Sequence, residues 1–247
     1  MSWLCTKSGK ARMVSSKNEV SFEKWYFENW HAYDKKRTAI QRLYYDVLSW
    51  SNEFAPFDVL EGKGRAALDV GCAHGYTVEL LERLGYNACG CDIATYYVRN
   101  YAKNVASNLV ACDAHKLPFR KAAFDIIASF ELIEHLHDQI SFLKDCFACL
   151  KPDGALVLQT PKGIPSVDAI FSKMRSRAVS KGTDVEHHVS TLVNTSDLMR
   201  LLDYCGFKAH VETWFLLPIK PTFANRYFAT RIPTTVPTFR AIAAKDR

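Results

Sequence analysis

The chain has no long apolar run. No uninterrupted stretch approaches the ~20 residues that a membrane-spanning helix needs, and the first residues lack the apolar segment of a secretory signal. Acidic residues are missing from Met1 to Asn18, where Lys7, Lys10, Arg12 and Lys17 lie, so residues 1–20 read as a basic, flexible tail. The net charge of +6 over 247 residues is mild, and with much of the excess in that tail it does not describe a nucleic-acid-binding stripe. An acid-poor start bearing Arg and Ser also fits an organelle transit segment, but a cytoplasmic protein is the default expectation. No internal repeat or low-complexity tract occurs.

The eight cysteines lack regular spacing and a secretory context, so they read as reduced thiols. Cys146 and Cys149 form a CxxC, but the pair falls in a helical apolar pattern with Ile140, Leu143, Phe147 and Leu150, and no second pair follows. Small core residues are therefore expected there, since a structural zinc site needs four ligands. Cys89 and Cys91 alternate on a strand and face one side of it.

With 48% hydrophobic and 23% charged residues, the chain suits a single α/β domain, here assigned to 21–247. Its first part, 21–60, is dense in aromatics interleaved with charge, which predicts one or two amphipathic helices. From Ala66 onward, strand-like and helix-like segments alternate in the manner of a doubly wound parallel sheet. Seven strands are expected, at Ala66–Val70, Asn87–Cys91, Asn108–Cys112, Phe124–Ser129, Gly154–Gln159, Lys208–Thr213 and Phe239–Ala244. Helices are expected near Val78–Leu84, Tyr96–Lys103, Gln139–Leu150 and Thr195–Tyr204. No helical pattern separates the last two strands, so the seventh is expected to pair antiparallel, at the end of the sheet. Two insertions, 162–194 and 214–237, follow strands five and six and are expected to form a lid over an acceptor site. The first carries a basic amphipathic pattern (Ile170, Phe171 and Met174 against Lys173, Arg175 and Arg177), and the second is rich in Pro and aromatics, so peripheral membrane contact is one expectation.

Chemistry is written at the strand ends. The first strand runs into Asp69-Val70-Gly71-Cys72-Ala73-His74-Gly75-Tyr76, a glycine-bearing turn that opens a helix. Glycine suits a sharp turn that lets a ligand lie against bare backbone. The dinucleotide fingerprint would need glycine at Ala73 and Tyr76, and both are absent. Roughly 20 residues on, Asp92 ends the second strand, where a carboxylate accepts from both hydroxyls of a ribose. Asp113 ends the third, where it can accept from the exocyclic amine of an adenine. Three carboxylates on successive strands describe a nucleoside held across the carboxyl edge of a sheet.

These segments, together with Leu117-Pro118-Phe119 and Phe124-Asp125-Ile126-Ile127-Ala128-Ser129, resemble the successive motifs of class I S-adenosylmethionine-dependent methyltransferases from about Ala66 to Phe207. The resemblance implies a Rossmann-like seven-stranded sheet with the last strand antiparallel, and S-adenosylmethionine as cofactor. It places Asp69 and the loop Gly71, Cys72, Ala73 and Gly75 at the methionine moiety, Asp92 at the ribose, and Asp113 with Ala114 at the adenine; Ile93 and Phe130 are added as further cofactor contacts. Ala73 departs from the family, which usually has a glycine there.

After strand four, Glu131-Leu132-Ile133-Glu134-His135 resembles the ubiquinone-biosynthesis O-methyltransferases and related small-molecule enzymes. His135 is the expected general base and Glu134 its companion, since a histidine near its ordinary pKa of ~6.5 can take a hydroxyl proton. The alternative is that the two cap the next helix or pair with each other. His188, in Glu186-His187-His188-Val189, is a further acceptor-site candidate. The expected activity is O-methylation of a small or lipid-like hydroxyl compound, with N- or C-methylation and a non-catalytic cofactor-binding protein as alternatives. Nucleic acid is not the expected acceptor: no added recognition domain or Asn/Asp-Pro-Pro-Tyr motif is present. The Glu-x-x-Glu-His run also resembles the magnesium motif of small-RNA 3′-end 2′-O-methyltransferases. On that resemblance Glu131, Glu134 and His135 would hold Mg²⁺, with His187 or His188 completing the site; a metal-free His135 is the reading adopted.

Overall fold

The computed structural model describes residues 37–94, 108–161, 194–214 and 238–245. Helix α1 (Arg37–Ser51) buries Ile40, Tyr44, Val47 and Leu48, a spacing that lines one face of a 3.6-residue period. The alternation that follows is β1 (Ala66–Val70), α2 (Tyr76–Arg83), β2 (Asn87–Asp92), β3 (Asn108–Ala111), β4 (Phe124–Phe130), a 3₁₀ turn (Ile133–His135), α3 (Gln139–Cys149), β5 (Leu150–Pro161), α4 (Thr195–Tyr204), β6 (Lys208–Trp214) and β7 (Thr238–Ala244). The helix expected near Tyr96–Lys103, the tail 1–20 and the early part of the 21–60 segment lie outside the described residues, as does almost all of both insertions. No described helix is long and apolar enough to cross a membrane.

One sheet carries all seven strands in the order β3-β2-β1-β4-β5-β7-β6. β7 runs antiparallel to β5 and β6, as expected, but it is not at the end of the sheet: it lies between those two strands and β6 forms the edge. Composition explains the placement. β7 is buried through Phe239-Arg240-Ala241-Ile242-Ala243, as an interior strand must be, whereas β6 is half-buried from Ala209 to Thr213, exposed at both ends, and alternates Lys208, His210 and Glu212 with smaller residues. β5 begins at Leu150, four residues before the expected Gly154, because Leu150 already pairs with Phe124 ahead of a register shift.

Side chains on the two faces of the sheet form two cores. On one face Leu68, Val70, Ile127 and Leu156 meet Phe142, Leu143 and Cys146 of α3 and Leu198 and Leu202 of α4. On the other, Ala67, Ile126 and Val157 meet α1 and α2 through Val47, Leu48, Val78 and Leu81. Cys89 and Cys91 share the first core, and Cys146 and Cys149 are buried in it. The buried face of α3 is Phe142, Leu143, Cys146 and Cys149, rotated from the Ile140/Phe147 line read from the sequence: Ile140 is exposed. Asp138 and Asn194 cap α3 and α4 by accepting from the Ser141 and Asp197 amides, each cap contributing about 1 kcal/mol.

Candidate active site at the carboxyl edge of the sheet

Between β1 and α2 the chain turns through Gly71 (φ 81°), Ala73 (φ 42°) and Gly75 (φ 75°). Left-handed backbone is open to glycine, but a Cβ makes it costly. The departure at Ala73 is therefore a conformational cost in the loop more than a matter of methyl bulk. The Gly71 and Cys72 amides donate to the Cys91 carbonyl at 2.8 and 3.1 Å, and the Gly75 amide to the Cys72 carbonyl at 2.7 Å. Cys72 turns its side chain into the core beside Gly90, where any Cβ would come within 2.7 Å of the Cys72 Cβ. Cys72 thus offers the crevice its backbone, and Gly90, not singled out in the sequence, lets loop and strand close together.

Asp92 anchors this loop. Its Oδ2 accepts from the Ala73 amide and its Oδ1 from the Ala94 amide, both at 2.8 Å. Burial raises the Asp92 pKa against the pull of these amides. Asp69 lies one residue before the end of β1 and is almost wholly buried. Burial first, and then the neighbouring Asp92 charge, push its pKa up to about 8, against a hydrogen bond from Thr77. Two desolvated carboxylates side by side form a site that a cation relieves. Ile93, immediately after Asp92, is 68% exposed, an apolar side chain open at the rim of the crevice.

At the third strand Asp113 lies just beyond β3 and takes the His115 amide (2.9 Å) and the His115 ring (2.8 Å) on the same oxygen, Oδ1. Burial would raise its pKa, but these contacts and the charges of His115 and His137 prevail and lower it. Ala114 packs at the margin of the first core. Phe130 closes β4 with its ring buried against Tyr44 of α1, centroids 4.5 Å apart, so it supports the crevice from within the core.

Beyond β4 the chain bends sharply: Glu131 has φ 56°. Its amide donates to the Gln159 carbonyl at 2.8 Å, and its Oε1 accepts from Gln159 Nε2 at 3.0 Å. Glu134 is buried in the 3₁₀ turn and accepts from the Thr160 hydroxyl at 2.9 Å. Burial pushes Glu131 up to about 7, against the Gln159 hydrogen bond. Burial and then Glu131 push Glu134 up to about 8. His135 Nε2 stands 3.8 Å from Glu134 Oε1, and its side chain is 32% exposed, whereas that of Glu134 is 5% exposed. The two residues make contact with each other, while the cap of α3 is Asp138. Gln159 is a site residue that sequence reasoning missed; its position near the end of β5 was the available signal. Among the described residues no group of three or more His, Cys, Asp or Glu side chains is placed to hold a metal ion. His187 and His188 lie outside the described residues.

The strand order, with its antiparallel β7, is the Rossmann-like fold of class I methyltransferases. Residues 68–158 match the family described as a methyltransferase domain. A Mycolicibacterium smegmatis protein named "Probable S-adenosylmethionine-dependent methyltransferase" is 30% identical over 146 residues, 59% of this chain and 52% of that protein. The ubiquinone biosynthesis O-methyltransferase of Actinobacillus pleuropneumoniae serotype 7 is 32% identical over 114 residues, 39% of this chain and 46% of that one. The chain spans about half the length of these curated relatives. In fold it is similar to the solved structure of an S-adenosylmethionine-dependent methyltransferase from Archaeoglobus fulgidus, with a TM-score of 0.58 at 19% identity over 88% of this chain and 100% of that one.

Proposed function

We propose that the protein methylates the hydroxyl oxygen of a small or lipid-like acceptor. The observation that carries the proposal is the Glu134/His135 pair beyond β4, with one buried acid and one partly open imidazole at the carboxyl edge of the sheet. The likeness to ubiquinone biosynthesis O-methyltransferases supports the same chemistry. S-adenosylmethionine supplies a methyl group on a sulfonium that departs as a thioether.

The chain's own residues then have three tasks. Asp69, with the Gly71–Gly75 loop, receives the cationic methionine end, and Asp92 receives the ribose hydroxyls while holding the loop through Ala73. Asp113, which holds His115 on Oδ1, would receive the adenine amine with its other oxygen, and the exposed Ile93 adds an apolar contact to the cofactor. His135 takes the acceptor proton as the oxygen bonds to carbon. Glu134, kept protonated near neutrality by burial and by Glu131, stands beside the imidazole as a neutral acid. Alignment of donor and acceptor supplies most of the remaining rate, because an in-line displacement needs no covalent enzyme intermediate.

The test is incubation with methyl-labelled cofactor and fractionated cell extract, followed by mass spectrometry of the labelled product. A labelled methyl ether supports the proposal. Label found only on nitrogen or carbon, or no transfer to any fraction, refutes it.

A further inference from the structure

Across the sheet, on the face covered by α1, Phe130, Gln159, Arg240 and Glu212 occupy one continuous row: Phe130 pairs with Gln159, Gln159 with Arg240 and Arg240 with Glu212. Arg240 is the anomaly in this row. It sits in the interior strand β7 at 2% exposure, and its Nε has no hydrogen-bond partner. A guanidinium offers five N–H donors in a planar fork, and burying such a charge without hydrogen bonds is costly.

The neighbouring carboxylates do not resolve this. Glu212, directly opposite on β6, accepts from the Trp50 indole at Oε2 (3.0 Å) and contacts the His210 ring through Oε1 (2.8 Å). Asp46, on α1, and Glu212 act on Arg240 through space, and among the described residues neither forms an ion pair with it. Gln159, opposite on β5, spends its amide nitrogen on Glu131. The contact that Arg240 does make is with the Trp214 ring, 4.1 Å from the guanidinium carbon. Such stacking occupies the face of the fork and leaves the in-plane donors free for an oxyanion.

Position gives the unpaired fork a use. Arg240 pairs with Gln159, whose amide holds Glu131, so fork and Glu131/Glu134/His135 cluster flank the same end of β5. We propose that Arg240, stacked under Trp214, receives an anionic group of the methyl acceptor, a carboxylate or a phosphate, and so fixes which end of the acceptor reaches His135. The proposal rests on the methyltransferase reading above and narrows its acceptor to anionic compounds.

The experiment titrates the full chain, saturated with S-adenosylhomocysteine, with benzoate, phenyl phosphate and the neutral isostere benzamide. It follows the Arg240 Nε–H resonance in ¹⁵N-arginine-labelled protein, assigned by its loss in Arg240→Met. Benzoate or phenyl phosphate is expected to shift that resonance, with at least tenfold weaker binding of benzamide; the preferred anion separates carboxylate from phosphate. In Arg240→Met and in Arg240→Lys, which keeps the charge and loses the fork, the preference for anions over benzamide is expected to fall at least tenfold, with S-adenosylhomocysteine affinity unchanged. Equal binding of benzoate and benzamide, or an Nε–H resonance unmoved by either anion, overturns the proposal and leaves Arg240 as a structural cation balanced by Asp46 and Glu212. The wild-type resonance keeps the test decisive if the variants fail to fold. Failure of the wild type to bind S-adenosylhomocysteine would instead count against the methyltransferase reading.

Discussion

Replacing Asp92 with alanine removes two functions at once, and the structure separates their sizes. Toward a bound nucleoside the carboxylate offers charge-assisted hydrogen bonds, and losing them costs about 1.5 to 3 kcal/mol, a roughly ten- to hundredfold fall in affinity. Toward the protein it accepts from the Ala73 and Ala94 amides at 2.8 Å each, so the variant strands two backbone donors beside a loop that already carries Ala73 at φ 42°. Asp92 is only partly shielded from solvent, so water takes over part of this role. The stability cost should therefore fall at about 1 to 3 kcal/mol. Calorimetric titration with S-adenosylhomocysteine measures the first effect and urea denaturation of the unliganded protein the second. A second substitution, Ala73→Gly, relaxes the loop without restoring the ribose contacts. The double variant should thus recover only part of the lost stability and still bind weakly. Affinity within threefold of wild type in a folded Asp92→Ala protein would refute the assignment of Asp92 to the ribose.

Asp69 makes a pH prediction. Its folded pKa of about 8 lies above its unfolded value of 3.8, so its contribution to stability is complete below pH ~4 and is lost as the pH rises through 8. The melting temperature of the unliganded protein should fall across that window, and Asp69→Asn should flatten the slope without abolishing it, since Glu131 and Glu134 are raised in the same sense. Cofactor affinity should run the other way, rising toward pH 8 as Asp69 ionises, and titrations showing no pH dependence in wild type would contradict this. His135→Gln should lower kcat by roughly 10² to 10⁴ with S-adenosylhomocysteine affinity unchanged; once an acceptor is known, single-turnover rates equal to wild type would remove His135 as the base. Ala73→Gly alone should stabilise the protein by about 0.5 to 1 kcal/mol, because relief of about 1 to 2 kcal/mol of left-handed strain exceeds the extra entropy glycine loses; destabilisation in urea would show that the loop conformation is wrong.

Much of this molecule was legible one segment at a time. Apolar runs bounded by glycine and acidic residues placed all seven strands, and Asp69, Asp92 and Asp113 were recognisable because a strand of known direction puts its last residues at one edge of the sheet. The 3.6-residue spacing of Ile40, Tyr44, Val47 and Leu48 marks α1 in the same local way. Relations between segments were not legible. That β7 lies inside β6, that Gln159 meets Glu131, and that Glu212 turns to Trp50 and His210 and leaves Arg240 unpaired all depend on strand register and on α1 packing over the distant end of the chain. The pKa values of Asp69, Glu131 and Glu134 belong to the same class, since burial raises them and burial exists only once the cores close. Periodicity and turn chemistry act over a few residues and can be read from the sequence; desolvation and cross-sheet pairing act over distances that only the folded chain creates.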